Sequence, residues 1–291
     1  MPRVLIAGCG YVGAATADLF RRANWEVEGW TSSPESAAAL AAKPFPVRAV
    51  DLTDRAAVEE AADFCEVVIQ CASSRGGGAE DYRRIYLQSA VHLHAAFPQA
   101  LLLFTSSTSV YAQSDGEWVT EESAADPAHE SGRILRETEE LVLANGGTVA
   151  RLAGIYGPGR SALLQKFLEG RAVVDPGSER FVNQAHRDDI AAALFLLAQR
   201  GLEGGAILDS EERRIFNVAD NHPISQRECY EWLAARLERP RPPVSPVAAK
   251  RRRGNSNKRV SSAKLHALGW LPRFPSFQIA MAESILPAAD L

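Results

Sequence analysis

The stretch PRVLIAGCGYVGAATADLFRRAN, residues 2–24, decides the fold of this chain. An apolar run, Val4–Ala7, leads into Gly8, Gly10 and Gly13, and a helical pattern of apolar residues follows. In this context the G-x-G-x-x-G spacing is typical of a dinucleotide-binding turn, because the glycines allow a tight turn, close approach of a pyrophosphate and close helix–strand packing. The amides that begin the helix would face the phosphates. The alternative is a glycine turn that binds no ligand.

Length and composition are those of an ordinary globular chain. Its 291 residues suffice for one large or two medium domains, and 46% of them are hydrophobic. A net charge of −4 gives no reason to expect nucleic-acid binding. No apolar run reaches about 18 residues and the chain enters a strand at once, so we expect neither a membrane span nor a signal peptide. Four cysteines without C-x-x-C spacing favour reduced thiols in the cytoplasm. No ligand spacing indicates a metal site.

Strand and helix patterns alternate through about 150 residues. After the first strand, strands are predicted at 25–30, 47–50, 65–70, 100–104 and 148–152, and helices at 34–42, 56–64, 81–97 and 127–144. Such alternation predicts an α/β fold with a doubly wound parallel sheet, the NAD(P)-binding Rossmann fold, which binds ligands at the carboxyl ends of its strands.

The pattern changes after residue 152, and this predicts a second unit. We expect residues 1–152 to form a dinucleotide-binding domain to which 187–219 return. Residues 153–186 and 220–291 are expected to form a smaller C-terminal substrate domain.

The end of the second strand bears on the choice of cofactor. Thr31, Ser32 and Ser33 stand where such a site meets the adenosine ribose. An acidic residue there would bind the ribose 2′-hydroxyl and repel a 2′-phosphate, so three hydroxyls in its place favour NADP over NAD. The alternative is that Ser32 or Ser33 only caps the next helix.

Five motifs together resemble those of the extended short-chain dehydrogenases/reductases of the NAD-dependent epimerase/dehydratase family. They are the turn Gly8–Gly13, Asp51-Leu52, Ser106-Ser107-x-x-Val110-Tyr111, Arg151–Gly159 and Asn183-x-x-His186-x-x-Asp189. The resemblance covers nearly the whole chain. Ala7 replaces the family's usual first glycine, and the added Gly8 fits an atypical branch.

The resemblance extends the candidate cofactor site to three strand ends. It implies that Asp51 and Leu52 lie against adenine, and Ala72 and Ser73 beside the cofactor's ribose and phosphate. The predicted cofactor-binding residues are Gly8, Gly10, Tyr11, Val12, Gly13, Thr31, Ser32, Ser33, Asp51, Leu52, Cys71, Ala72 and Ser73.

The family's catalytic pair, Tyr-x-x-x-Lys, does not carry over. The tyrosine is the general acid/base, and the lysine binds the nicotinamide ribose and lowers the tyrosine pKa. Matching residues 139–142 to the end of that helix places Ser131 and Leu135 at the two positions. Leucine can do neither of the lysine's jobs, and an unactivated serine is a poor proton donor. Ser107 matches the family's catalytic serine, which hydrogen-bonds the reacting oxygen; its alternative role is to satisfy backbone at the strand end.

Two histidines are further candidates. His186 lies in the segment that resembles the family's substrate side and titrates near neutral pH, although Asp189 beside it can equally cap a helix. His129 and Arg133 have the same four-residue spacing as the missing Tyr-x-x-x-Lys pair, but each stands two residues before the position expected for that pair, which is 131 or 135. That offset turns their face by roughly 200°, which favours a solvated helix face.

The remaining candidates concern partners. Lys250–Arg253 is either a solvated loop or an anion-binding lid for a phosphorylated or nucleotide-linked substrate. The resemblance also implies a homodimer through the helices at 81–97 and 127–144. Three functions stay open: an NAD(P)-dependent oxidoreductase or epimerase acting on a small, sugar-like or nucleotide-linked substrate, an NADP-binding redox sensor without turnover, and an interaction protein with a structural cofactor.

Overall fold

The structure, a computed structural model, describes residues 1–74, 76–174, 180–204, 214–246 and 256–289. Its strands, numbered along the chain, are β1 (Arg3–Ala7), β2 (Glu26–Thr31), β3 (Val47–Ala49), β4 (Val67–Gln70), β5 (Leu101–Ser107), β6 (Trp118–Val119), β7 (Thr148–Leu152), β8 (Gly154–Tyr156), β9 (Phe181–Val182), β10 (Gln184–His186), β11 (Ile215–Val218), β12 (Ile224–Ser225) and β13 (Arg259–Val260). The predicted stretch Lys250–Arg253 lies outside the described residues, as does Arg75.

The helices alternate with the strands of the main sheet. They are α1 (Tyr11–Arg22), α2 (Pro34–Ala38), α3 (Arg55–Ala61), α4 (Ala79–Tyr82), α5 (Ser89–Ala96), α6 (Glu130–Ala144), α7 (Ala162–Leu168), α8 (Arg187–Glu203), α9 (Gln226–Arg236), α10 (Ala263–Ala267) and α11 (Phe277–Ala280). A π-helical segment, Arg83–Gln88, joins α4 to α5, and another, Met281–Ile285, continues α11. Among the described helices, none is both long and apolar enough to cross a bilayer.

Seven parallel strands form the central sheet in the order β11-β7-β5-β4-β1-β2-β3. The predicted doubly wound α/β fold is therefore confirmed. The chain builds outward from β1 in one direction through β2 and β3 and in the other through β4 and β5. This reversal leaves a crevice beyond the carboxyl ends of β1 and β4, which is where such sheets bind ligands.

Burial explains why the inner strands are apolar throughout. Both faces of the sheet are covered by helices, and β4 is buried along its whole length. On one face α1 packs against α8, where Phe20 meets Phe195 edge to face with ring centroids 4.9 Å apart. The segment after residue 186 thus supports the helix that opens at the glycine turn.

Three helices are shorter than predicted. The helix at 34–42 ends at Ala38, because the chain continues in turns such as Leu40 N–H to the Ala37 carbonyl. The helix at 56–64 ends at Ala61, since Ala62 is already extended with ψ of 134°. The helix predicted from residue 127 begins at Glu130. Conversely, β5 runs three residues further than predicted, to Ser107.

A second hydrophobic core lies in the C-terminal half, separate from the core around the sheet. It joins α7, α9 and α11 with their π-helical extension, and Phe167 stacks on Tyr230 at its centre. A short strand pair, β13 beside β6, links the C-terminal part of the chain to the sheet domain. A second pair, β10 beside β8, lies within the segment 153–186. The unit therefore faces the carboxyl edge of the sheet across the crevice.

Candidate functional site

The glycine turn after β1 is fixed by close backbone packing. Gly8 has φ of 104°, a conformation that favours glycine, and a Cβ there would lie 2.3 Å from the Ala72 nitrogen. A Cβ on Gly13 would lie 2.3 Å from the Gly8 carbonyl oxygen. At Gly10, by contrast, a Cβ would meet nothing within 4 Å. Two glycines thus hold the turn together, and the third borders open space at the start of α1.

The start of α1 has free amides and two cations beside it. Gly10 caps the helix without a side-chain hydrogen bond, and the first turn carries no acidic residue. The guanidinium carbons of Arg160 and Arg187 lie 5.3 and 5.1 Å from the centroid of the Tyr11 ring. Its hydroxyl donates to the Pro158 carbonyl at 3.0 Å, which ties the loop after β8 to the turn. An anion placed there would meet amides, a helix dipole and positive charge.

The end of β2 uses two of its three hydroxyls internally. Thr31 is buried and its hydroxyl faces the Ser33 and Arg48 carbonyls at 3.3 and 3.4 Å. Ser33 caps α2 by accepting from the Ser36 amide at 3.3 Å, so its alternative role as a cap is realised. Ser32 stays exposed.

A carboxylate adjoins these hydroxyls. Glu35 is fully exposed, and its pKa is lowered by a backbone amide and by a hydrogen bond with Ser33. It places a negative charge at the strand end where three hydroxyls alone had favoured a phosphate.

The ends of β3 and β4 continue the same edge of the sheet. Asp51 is exposed, and its carboxylate accepts from both the amide and the hydroxyl of Thr53 at 2.9 Å. Leu52 is buried beside it. The Cys71 amide donates to the Ala7 carbonyl at 2.7 Å, which joins the end of β4 to the glycine turn.

A π-helical turn brings two tyrosines to this edge. In the widened turn of Arg83–Gln88, the carbonyls of Ile85 and Tyr86 accept hydrogen bonds from the side-chain amide of Gln70. Gln70 is buried at the end of β4. Tyr82 and Tyr86 then line the crevice. Such turns in an α-helix often mark functional sites.

A cleft of about 850 Å³ opens between the strand ends and the C-terminal unit. Its sheet side includes Val12, the loop Cys71–Ser74 and the β5 end from Thr105 to Ser109. Its other side carries positively charged side chains, which are Arg160, Lys166, Arg171, Arg180 and Lys258. No Asp or Glu occurs among the described lining residues. Glu169 pairs with Arg171 from outside the lining set. The cleft therefore attracts anions.

Ser107 lines this cleft, and no acceptor for its hydroxyl proton occurs in the described part of the chain. It is half-buried at the end of β5, and its Oγ accepts from the Ser109 amide at 3.1 Å. This bond satisfies the oxygen as an acceptor and caps the short 3-10 turn Thr108–Val110. The O–H can therefore donate to an oxygen in the cleft, so the two interpretations of Ser107 are compatible.

A buried polar network fixes the segment around Ser107. Glu139 of α6 accepts from Ser106 at 2.6 Å and from Arg151 of β7 at 2.7 Å, all three side chains being buried. Arg151 also donates to the Tyr111 hydroxyl at 2.8 Å, and Tyr111 donates to Asn217 of β11 at 2.9 Å. Tyr111 is thus a packed residue of this network. Because each charge is paired, the network holds the β5 end rigidly against three elements.

Leu135 and Ser131 lie differently with respect to the cleft. Leu135, on α6, is buried and lines the cleft. Ser131 is half-buried one turn earlier and is not among the lining residues. His129 precedes α6, and Arg133 bonds to Glu130 and to the Ala128 carbonyl on the exposed face. The structure does not bring His129 or Arg133 to the cleft.

His186 lies away from the cleft and has a structural environment. It is fully buried between Tyr156 and Phe274, its Nδ1 accepts the Asp188 amide at the start of α8, and its Nε2 lies 3.0 Å from the Ser284 hydroxyl. Burial lowers its pKa to about 4, so the ring is neutral. It is His186 that caps α8, whereas the Asp189 carboxylate accepts from the Arg273 and Phe274 amides.

The sequence profile of the NAD-dependent epimerase/dehydratase family matches residues 4–219. The chain belongs to this family. The resemblance drawn from its motifs is thereby confirmed, and the fold is of the extended short-chain dehydrogenase/reductase type.

Three proteins illustrate what the chain is similar to. Protein YeeZ of Escherichia coli K12 is 30% identical over 210 residues, covering 68% of this chain and 74% of YeeZ. A structure described as a candidate NAD-dependent epimerase/dehydratase from Methylobacillus flagellatus superposes with a TM-score of 0.79 at 26% identity, covering 100% and 99% of the two chains. The UDP-glucose 4-epimerase of Thermus thermophilus, solved with NAD, shares the fold at 21% identity and a TM-score of 0.80, covering 99% of each.

The residues present fit the dinucleotide that this NAD-dependent family uses. The open space at Gly10 and the uncapped amides of α1 form a cradle that a Cβ would fill. Further along, the Ser74 hydroxyl is buried in the cleft with no hydrogen-bond partner among the described residues. A buried hydroxyl without a partner is unfavourable, so it marks a place for a polar ligand group.

Sequence reasoning missed the charged wall of the cleft, above all Lys258. Its side chain is buried, lines the cleft and donates to the Tyr111 carbonyl at 2.8 Å across 147 positions of sequence. Burial, with a smaller effect of Arg180, lowers the pKa of Lys258 to about 8. No local pattern surrounds this lysine, so the sequence held no signal for it.

Proposed function

We propose that this chain is an NAD(P)-dependent oxidoreductase or epimerase that acts on a small anionic substrate. One observation carries the proposal: a single cleft joins the strand ends around Cys71 and Ser107 to a wall of cationic side chains. The sheet side suits the nicotinamide end of a dinucleotide, and the wall suits a negatively charged substrate.

Ser107 is proposed to orient the reacting oxygen. The nicotinamide ring supplies or accepts the hydride when the cofactor is bound. The Ser107 O–H donates to the substrate oxygen, on which negative charge develops as the carbon accepts the hydride. Its orientation is set by the Ser109 amide and by the network beneath Ser106. The buried Leu135 adds an apolar surface that keeps water from this part of the cleft.

The C-terminal unit is proposed as the substrate domain, and a phosphate-bearing, sugar-like compound as its ligand. Arg160, Lys166 and Arg180 offer charge and hydrogen-bond donors that suit phosphate oxygens. The names of structural neighbours mention UDP-glucose and dTDP-glucose, so nucleotide-linked sugars are the first compounds to test. The stretch Lys250–Arg253, outside the described residues, remains a proposal for additional anion contacts.

The preference for NADP remains a proposal based on the missing acidic residue at the end of β2. The exposed Ser32 supports it, because its hydroxyl is the one that stays available at this strand end. The Glu35 carboxylate opposes it, since its charge would repel a 2′-phosphate. Binding of both dinucleotides, measured side by side by the fluorescence of the reduced nicotinamide, decides between them.

Turnover is the test of the proposed function. Purified protein is incubated with reduced or oxidised dinucleotide and a panel of UDP- and dTDP-sugars, with absorbance at 340 nm and chromatography of the sugars as readouts. Oxidation or reduction of the dinucleotide, or interconversion of the sugars, supports the proposal. Tight dinucleotide binding without any turnover would instead support the sensor.

The redox sensor remains the second candidate because of Leu135 and Ser131. If they occupy the positions of the family's lysine and tyrosine, as we propose, α6 brings neither an ammonium nor an acid to the cleft. A dinucleotide could then bind without reacting. A sensor should change its hydrogen-exchange protection between the oxidised and reduced dinucleotide, whereas an enzyme need not.

We also propose that the protein is a homodimer and that it acts in the cytoplasm. The helices α5 and α6 lie side by side, and Val91 of α5 is 45% exposed, which suits an interface between two copies. Light scattering at micromolar concentration should give twice the mass of the chain, and Val91→Glu should lower it. A monomer mass for the unaltered protein would refute the dimer.

A further inference from the structure

Lys258 lies in the cleft under conditions that are unusual for a lysine. Only 7% of the residue is exposed, yet among the described residues no carboxylate pairs with its ammonium. Its described hydrogen bond goes to the Tyr111 carbonyl at 2.8 Å. An ammonium has three N–H donors, and within the described ranges the other two have no acceptor, so they are offered to a ligand. Burying an ammonium without a counter-charge is unfavourable, and such groups are candidates for function.

The backbone around Lys258 is held on both sides. Asn183 donates its amide group to the Lys258 carbonyl at 2.8 Å and accepts the Val260 amide at 2.7 Å. The Asn257 amide donates to the Gln113 carbonyl at 2.9 Å, and β13 continues beside β6. The lysine is therefore presented by a fixed segment of the C-terminal unit.

The contact with Tyr111 brings Lys258 to the end of β5. Ser107 begins the 3-10 turn Thr108–Val110, and Tyr111 ends it. The carbonyl that Lys258 contacts is therefore four residues beyond Ser107 along the chain. One substrate oxygen accepts hydrogen bonds from both groups when the hydroxyl oxygen and the ammonium nitrogen lie within about 6 Å of each other. Both side chains line the same cleft.

We propose that Lys258 supplies the catalytic ammonium of this cleft and exchanges a proton with the substrate oxygen that Ser107 holds. The inference rests on the proposed function. In the reducing direction the substrate carbonyl carbon would accept a hydride, which a bound reduced nicotinamide would supply, and the carbonyl π electrons would move to the oxygen. That oxygen takes a proton from the Lys258 ammonium, which becomes a neutral amine and regains a proton from water. In the oxidising direction the neutral amine takes the hydroxyl proton.

The electrostatic surroundings of Lys258 suit this exchange. Burial and the nearby Arg180 disfavour the ammonium, while Glu117 favours it less strongly, and together they lower the pKa to about 8. A proton donor works best when its pKa lies near the working pH. The buried Leu135 of α6 lies in the same cleft, so Lys258, which directly precedes β13, would supply the positive charge that Leu135 cannot.

The first test measures the protonation of Lys258 without turnover. The chain has five lysines, so protein labelled with ¹³C at the lysine ε-carbon gives few signals. The signal that disappears in Lys258→Met should titrate near pH 8, well below the usual value for lysine of about 10.4. Addition of UDP, as an anionic probe of the cleft, should raise its pKa. A signal with an ordinary pKa that does not respond to UDP overturns the proposal.

The second test compares three variants on a sugar nucleotide that the unaltered protein turns over. Lys258→Met should lower kcat at least 100-fold. Lys258→Arg should bind the substrate as the unaltered protein does but keep the low kcat of Lys258→Met, because arginine does not release a proton near neutral pH. Lys264→Met is the matched control, since Lys264 also donates to a backbone carbonyl, that of Ile215, at 2.8 Å but does not line the cleft.

The outcomes separate this inference from the proposed function. Full rate in a folded Lys258→Met, or in Lys258→Arg, overturns the role of the lysine and leaves the oxidoreductase standing. Equal losses in Lys258→Met and Lys264→Met would mean a structural role and would also overturn it. Absence of turnover in the unaltered protein refutes both. In the pH profile of kcat/KM, the decrease at alkaline pH should disappear in Lys258→Arg and persist in Lys264→Met. This result supports proton exchange at Lys258.

Discussion

Replacing Ser107 by alanine is expected to slow turnover strongly and leave dinucleotide affinity nearly unchanged. The Ser107 oxygen already accepts from the Ser109 amide at 3.1 Å, so its proton is the group that the substrate oxygen can use. Removing one donor to a developing oxyanion costs about 2.7–4 kcal/mol, which corresponds to a factor of about 100 to 1,000 in kcat.

The fold should tolerate this change. Ser107→Ala removes one hydrogen bond, from the amide of the exposed Ser109, which contributes about 0.5–1.5 kcal/mol, while the buried network through Ser106 and Glu139 stays intact. Ser107→Thr keeps the hydroxyl and should retain most of the rate. Ser131→Ala is the control from α6 and should matter little, because Ser131 does not line the cleft.

The assay follows absorbance of the dinucleotide at 340 nm under single-turnover conditions, with affinity measured by nicotinamide fluorescence on the same samples. A larger loss of rate in Ser131→Ala than in Ser107→Ala would contradict the proposed role of Ser107 and assign that role to Ser131. Equal rates for both variants and the unaltered protein would remove Ser107 from the mechanism.

Three further predictions concern the cofactor and stability. Gly10→Val should weaken dinucleotide binding about tenfold or more at an unchanged melting temperature, because its Cβ enters space free of protein atoms; equal affinity would move the pyrophosphate elsewhere. Glu35→Gln should shift the ratio of dissociation constants towards NADP by about threefold, and no shift in either constant would remove Glu35 from the site. The pKa of His186 is lowered to about 4, so the neutral ring stabilises the fold above pH 6.5, and about 3 kcal/mol is lost as pH falls towards 4. His186→Asn keeps a capping side chain and should flatten this part of the curve in urea unfolding, whereas an unchanged slope would contradict the assignment.

The sheet was predictable from sequence because its inner strands are buried on both faces. A short continuous apolar run such as Val4–Ala7 is typical of a strand that is buried on both faces. Glycines in G-x-G-x-x-G spacing directly after such a strand are typical of a dinucleotide-binding turn. Helix ends were less predictable. The helix that opens at Pro34 ends at Ala38, because hydrogen-bonded turns replace its last predicted residues.

The candidate site was predictable where it follows the chain and unpredictable where it depends on distant segments. Ser107 is visible from its position after a strand. Lys258 meets Tyr111 across 147 residues, and no local pattern announces that contact. His186 shows the opposite difficulty, since a residue that titrates near neutral pH in water is buried, neutral and bound to a helix start.

We propose that the turn Gly8–Gly13 and the cleft beside Ser107 hold one nicotinamide dinucleotide. A crystal structure of the protein grown with a reduced dinucleotide tests this proposal. We expect the pyrophosphate against Gly10 at the start of α1 and the nicotinamide ring in the cleft beside Ser107. A dinucleotide bound away from this turn, or a nicotinamide ring directed out of the cleft, would contradict it.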